Sequence, residues 1–343
     1  MSAYRWQIDG QFGLKNLSWT ASVPRPPGPG EVALRVRAVS LNYRDLLMIR
    51  GHYNPRQPLP LVPGSDCVGE VVAVGDGVVD WAPGVRACPA FNPGWVRGPI
   101  PASATRTTLG GPVEGVFQEH VVVPASALVA PPDHFTDAEC ATLPCAGVTA
   151  WRALVTEGGI QPGHTILTLG TGGVSLFAVQ IGAMRGARVC ITSSSEAKLA
   201  RALDLGADHG ICYSTDPAWG KTAAHWAGSG VDVVVELGGA GTLAQSLRAV
   251  RTGGTVALIG VLDGVQTNLA LTSVLMRHIR VQGVFVGAVD DLRDLVACYA
   301  AHPHIRPVVD RSFPLSSLPE ALEHLASGRH MGKVVLTAES RVR

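Results

Sequence analysis

The 343-residue chain reads as an α/β fold, a doubly wound parallel sheet preceded by a smaller domain of short strands. Three observations predict it. From about residue 136 onward, apolar strand-like runs alternate with stretches of helical period. Within residues 165–207 a strand, a glycine-rich turn, a helix and a second strand follow one another directly. Before residue 127, Val-rich runs are punctuated by Gly and Pro, the texture of a small β-barrel-like domain.

The elements follow in order. Residues 23–30 are turn-forming, and 31–39 alternate as a strand. Residues 42–50 give one or two helical turns. Strands are expected at 68–74, after a turn at 81–88, and at 117–124. The intervening stretch 91–116 has little periodicity, and a loop this long in a compact domain is usually functional or partly mobile. A helical region at 138–154 is interrupted around Pro144. The run 165–169 is a buried strand, and the helix after the glycine turn ends at Gly186. Residues 188–192 form the second strand, and 198–207 a helix closed by Gly206. Strands at 231–236, 255–260 and 281–286 alternate with a helix at 243–250. A helix at 318–327 and a strand at 333–337 close back on the first domain.

Bulk properties narrow the function classes. Hydrophobic residues make up 46% and charged residues 16%, so the chain buries a large core instead of staying disordered. The net charge is +1 with no block of like charge, which argues against nucleic-acid and membrane-surface partners. No apolar run reaches the roughly eighteen residues of a membrane span, and residues 1–7 show no signal-peptide core. A cytoplasmic protein is expected. Cys67, Cys88, Cys140, Cys145, Cys190, Cys212 and Cys298 form no C-x-x-C pair and read as reduced, mostly buried small hydrophobes.

The glycine-rich turn Gly170-Thr171-Gly172-Gly173-Val174-Ser175 carries the strongest chemical signal. Glycines there let backbone N–H groups at a helix N-terminus approach a pyrophosphate. Ser175 stands where the fingerprint has a third glycine, and serine is small enough to keep the site.

Gly64-Ser65-Asp66-Cys67-Val68-Gly69-Glu70-Val71-Val72-Ala73-Val74-Gly75, the glycine turn and Leu205-Gly206-Ala207-Asp208-His209 together resemble the medium-chain dehydrogenase/reductase superfamily. Asn42-Tyr43-Arg44-Asp45 and the stretch from Leu143 to Trp151 are most similar to its alcohol-dehydrogenase-like and quinone-oxidoreductase-like branches. The resemblance implies a GroES-like β-barrel substrate domain from residues 1–127 and 286–343. It also implies a Rossmann NADP-binding domain at 128–285, a cleft between the two, and a homodimer.

Many members hold a catalytic zinc through Cys, His and Cys with a nearby Glu. The corresponding positions here are Asn42, Ser65-Asp66 and Cys145, and residues 91–116 lack the cysteines of a structural zinc lobe. One thiolate, an amide and a hydroxyl do not make a zinc site, so no metal is expected. The alternative is a rearranged site of Cys145, Asp66 and His52.

The position after the second strand, where NAD-specific folds carry an acid for the ribose 2′-OH, is Ser193, followed by Ser194. Hydroxyls donate to a 2′-phosphate, and Lys198 adds charge. In quinone-oxidoreductase-like relatives a Lys and a Tyr meet that phosphate, and Lys198 and Tyr213 match them. NADP(H) is therefore expected, with Glu196 opposing; Lys198 as a plain solvated residue is the other reading. The resemblance further implies that Thr149, Val261, Phe285 and Val286 line the nicotinamide.

Without zinc, other groups must stabilise charge on the substrate oxygen. Tyr53 matches the tyrosine that zinc-free enoyl reductases of the superfamily use as donor, and Asn42 stands at the vacated ligand position. Asp45 matches a position near the catalytic centre. Two plainer readings stay open: Tyr53 packs its ring, and Asn42 caps the helix that follows. Phe91, Trp95, Trp151 and Phe285 form either a substrate wall or plain core. The expected function is zinc-independent, NADPH-dependent hydride transfer to a quinone, enone or aldehyde/ketone as small-molecule substrate. The alternatives are an alcohol dehydrogenase with an atypical metal site and a non-catalytic NADPH-binding protein.

Overall fold

The structure is a computed structural model in which residues 3–338 are described. The chain divides into two compact units, Met1–Val148 with Gly287–Arg343, and Thr149–Val286. The division therefore falls at residue 148, so residues 128–148, expected with the Rossmann segment, belong to the first unit.

In the first unit the strand Glu31–Ser40 is the hub. It pairs antiparallel with Asp66–Val74, His120–Pro124 and Lys333–Thr337. Register shifts near Ala33/Leu34 and Val36/Ala38 bend the strand as bulges do. The sheet runs from Val309–Pro314 through Lys333–Thr337, Glu31–Ser40, Asp66–Val74 and Arg86–Pro89 to Leu128–Val129. This is an open, branched path, and the β-barrel-like expectation is met by a curved sheet. Ala3–Ile8 and Leu17–Ser22 form a separate antiparallel pair. The helix Leu318–Ala326 buries Leu318, Ala321, Leu322 and Leu325, spaced for one face, into the core of the sheet.

The expected helical region has four parts, Asp137–Cys140, Leu143–Gly147, Val148–Trp151 and Arg152–Thr156. Thr136 accepts a hydrogen bond from the Glu139 N–H, and its own N–H donates to the Glu139 carboxylate, a capping box that starts Asp137–Cys140. The interruption at Pro144 is a wider π-type turn, Leu143–Gly147, consistent with the N–H that proline lacks.

The second unit holds a six-stranded sheet in the order His209–Cys212, Arg188–Ser193, Thr165–Leu169, Val231–Glu236, Val250–Leu258, Arg280–Gly283. Every neighbouring pair is parallel. The chain enters at Thr165–Leu169 in the middle, runs to one edge, then crosses to the other side of its first strand. That reversal is the topological switch point at which doubly wound sheets bind ligands. Two expectations shift. The strand expected at 255–260 begins at Val250, with the pairing register slipping between Val231 and Val233 and Gly253 at φ +71°. The strand expected at 281–286 spans Arg280–Gly283, and Val286 at φ +53° turns the chain out of the sheet.

Candidate functional site

The glycine turn leaves the carboxyl end of Thr165–Leu169 and opens the helix Gly173–Met184. Gly170 sits at φ +74°. A Cβ at Gly170 or Gly172 would meet no atom within 4 Å, so packing does not account for these glycines. The space they leave at the helix N-terminus is what a pyrophosphate requires, and the residues fit a dinucleotide. The Gly170 N–H donates to Thr192 Oγ1 at 3.2 Å, tying the turn to the second strand.

Ser175 is fully buried and donates its hydroxyl to Leu169 O at 2.7 Å, locking the turn. The close helix–strand approach is made by Gly182 instead. A Cβ there would lie 2.6 Å from Ile166 Cδ1 and 2.7 Å from Val189 Cγ2.

Ser193 and Tyr213 lie at the ends of neighbouring strands, and Lys198 stands in the first turn of the helix Glu196–Asp204. Ser193 is in register with Cys212, and the Tyr213 N–H donates to Ser193 O at 3.0 Å. Ser195 caps Glu196–Asp204 by accepting from the Lys198 N–H at 3.4 Å. Ser193 itself is buried, and its Oγ accepts from the Ser195 N–H at 3.2 Å. Ser194 is the exposed hydroxyl, and Tyr213 is also exposed. Val174, Thr149, Val261, Phe285 and Val286 share this unit. Val261 is exposed, whereas Thr149 is buried. Val286, a β-branched residue at positive φ, holds roughly 1–3 kcal/mol of backbone strain, a feature that clusters at functional sites. The Glu236 carboxylate is buried and accepts from the Gly238 and Gly239 N–H groups and the Thr242 and Ser246 hydroxyls, which fixes the turn after its strand.

The first unit carries a buried polar cluster. Asn42 is the N-cap of the helix Tyr43–Ile49, but its side chain makes no capping bond. Its Nδ2 donates to Ser65 Oγ at 3.3 Å, and the Ser65 hydroxyl donates to Asp66 Oδ1 at 2.8 Å. The Asn42 N–H donates to Asp45 Oδ2 at 2.7 Å. Gly64, at φ +90°, leads into Ser65-Asp66, and a Cβ there would strike the Phe117 ring at 2.2 Å. Lys333, which has no local sequence signal, completes the cluster. It is 4% exposed, and Nζ donates to Leu41 O at 2.5 Å and to Asn42 Oδ1 at 2.6 Å. Burial raises the Asp66 carboxyl against the opposing Lys333 charge, and pushes Asp45 up to about 7 against the Arg44 guanidinium. Burial also holds the Cys145 thiol well above its ordinary value.

Tyr53 lies beside Arg44, whose guanidinium carbon is 4.9 Å from the ring centroid. Arg44 donates to Leu109 O and Gly111 O, so the long loop at 91–116 positions it. Tyr53 is 43% exposed. Phe91, Trp95 and Trp151 are buried and belong to the core. His52 is exposed, and among the described residues no three His, Cys, Asp or Glu side chains are grouped to hold a metal.

These features define a dinucleotide-binding oxidoreductase. Residues 28–133 match the alcohol dehydrogenase GroES-like domain, and 173–301 match the zinc-binding dehydrogenase family. The chain is 43% identical over 321 residues to a zinc-type alcohol dehydrogenase-like protein of Schizosaccharomyces pombe, covering 92% of each chain. It is 31% identical to an acryloyl-coenzyme A reductase of Metallosphaera sedula, covering 91% of this chain and 93% of that one. A solved NAD-dependent alcohol dehydrogenase superposes with a TM-score of 0.88 at 33% identity, covering 99% of this chain and all of the other. The chain belongs to the medium-chain dehydrogenase/reductase superfamily and is a NAD(P)-dependent oxidoreductase. The zinc of that family does not fit the residues present. Asn42, Ser65-Asp66 and Cys145 lack the Cys-His-Cys donor set, and the Lys333 ammonium already contacts Asn42 Oδ1.

Proposed function

We propose that the protein is a zinc-independent, NADPH-dependent reductase acting on a quinone, enone or aldehyde/ketone. One observation carries this reading: Lys333 Nζ lies 2.6 Å from Asn42 Oδ1, so the ligand position of the metal enzymes is part of an internal cation site. Nicotinamide, when bound, supplies the hydride. The chain's own residues then stabilise the negative charge that develops on the acceptor oxygen. Asn42 Nδ2 donates to that oxygen, and the exposed Tyr53 phenol delivers the proton. Ser194, Lys198 and Tyr213 meet the 2′-phosphate, with Ser193 supporting the turn from beneath. No carboxylate stands at the end of the second strand, which favours NADPH even though a structural relative is NAD-dependent. The relative named acryloyl-coenzyme A reductase supports an activated alkene among the acceptors.

A homodimer is part of the same proposal. Among the described residues, the edge strand Arg280–Gly283 pairs on one side, and the adjoining helix Leu271–Met276 has no buried residue. Leu271, Leu275 and Met276 are each more than 70% exposed. An unpaired edge beside an apolar helix suits a second copy of this chain.

The test is an NADPH-oxidation screen over quinones, enones and aldehydes, repeated with NADH. Turnover on at least one class with NADPH preferred is expected, and Tyr53→Phe should lower kcat at unchanged NADPH affinity. Binding of NADPH without turnover on any acceptor, or a clear NADH preference, overturns the corresponding part.

A further inference from the structure

We propose that Lys333 is a positioning residue for the reductive step: it holds the Asn42 amide so that Nδ2, the donor, serves the substrate oxygen. The inference rests on the reductase reading and adds a residue to it.

Lys333 opens the strand Lys333–Thr337, 291 positions from Asn42. Its N–H donates to Val308 O at 2.9 Å. Gly332 before it sits at φ +88°, where a Cβ would lie 2.3 Å from Val308 O, so the chain enters this strand in one way. The Lys333 stem is buried, and Nζ ends between Leu41 O and Asn42 Oδ1. An ammonium has donors only, so the amide atom facing it is the oxygen. Nδ2 is thereby turned toward Ser65, and the bonds run in one direction, from Lys333 through Asn42 and Ser65 to Asp66. Nδ2 carries two hydrogens, and Ser65 Oγ takes one. An amide whose oxygen accepts from a cation is a stronger N–H donor, because the bonds polarise one another.

The capping geometry supports the same assignment. An N-cap asparagine ordinarily spends its Oδ1 on the N–H groups of the first turn. Here Asp45 takes the Asn42 N–H, Lys333 takes Oδ1, and the side chain is released from capping.

Variants of Asn42 and Lys333 test the proposal on the acceptor that the screen yields, with NADPH affinity followed by fluorescence. Asn42→Asp keeps the oxygen that faces Lys333 and loses Nδ2. It should lose on the order of 10²-fold in kcat, as Asn42→Ala does, with NADPH affinity unchanged. Asn42→Asp at full turnover overturns the proposal, because the working atom is then the oxygen. Lys333→Met should lose up to about 10²-fold in kcat with little change in KM, and Lys333→Arg should recover part of it. Lys333→Met combined with Asn42→Ala should be no slower than Asn42→Ala alone, within about twofold. Losses that multiply, or full turnover of Lys333→Met, overturn the positioning role. Where Lys333→Met does not fold, Lys333→Gln, whose shorter side chain cannot reach Oδ1, takes its place alone and with Asn42→Ala, with the same losses expected and the same outcomes overturning the role. Full turnover of Asn42→Ala instead removes Asn42 from the reductase reading, and the positioning role falls with it.

Discussion

Asp45 stands at the third position of the helix Tyr43–Ile49, fully buried, with Oδ2 bound to the Asn42 N–H and Oδ1 lacking a hydrogen-bond partner. Burial pushes its carboxyl up to about 7. In the unfolded chain the same group ionises near 4, so between the two values the folded state holds the extra proton. Its stability contribution is therefore full below about 4 and is lost as pH rises through about 7. Asp45→Asn keeps the acceptor for Asn42 and removes the titration. Between about pH 5 and about pH 8 the parent should lose several degrees of Tm relative to this variant. Parallel melting profiles would contradict the raised carboxyl. Asn42 and Asp45 stand out in sequence because they share the short motif Asn42-Tyr43-Arg44-Asp45, and Tyr53 because its position matches a tyrosine of zinc-free relatives. Lys333 was not, because a buried lysine brought in by a strand pairing 291 residues away leaves no local pattern. The third fingerprint glycine misleads in the same way. Its packing role sits two helical turns on, at Gly182, where only the tertiary contacts with Ile166 and Val189 reveal it.

Elements with a full apolar run were legible almost to the residue. Thr165–Leu169 and Lys333–Thr337 have the expected bounds, since they are buried almost throughout and carry the apolar runs Ile166-Leu167 and Val334-Val335-Leu336. Two of the strands that escaped notice are half-exposed. His209–Cys212 has one buried residue, and Leu17–Ser22 carries Ser and Thr on an open face. Such strands are defined by their pairing partners more than by their own composition. The edge strand Arg280–Gly283 with the helix Leu271–Met276 carries the dimer prediction. Light scattering should give twice the chain mass, and Leu275→Glu with Met276→Glu should halve it. A monomeric parent protein would refute this interface.

At the scale of the whole molecule, the chain divides at Val148/Thr149 and at Val286/Gly287, where the sequence suggested 127/128 and 285/286. The unit Thr149–Val286 carries the glycine turn and the hydroxyl-rich end of its second strand. The other unit carries the Asn42, Ser65, Asp66 and Lys333 cluster, where a lysine provides the positive charge. The zinc-free reading joins the two. The most direct measurement is NADPH turnover and bound metal on one purified sample, before and after exhaustive chelation. Substoichiometric zinc with undiminished turnover after chelation is the predicted result. Stoichiometric zinc, or activity lost on chelation and restored by added zinc, would contradict it.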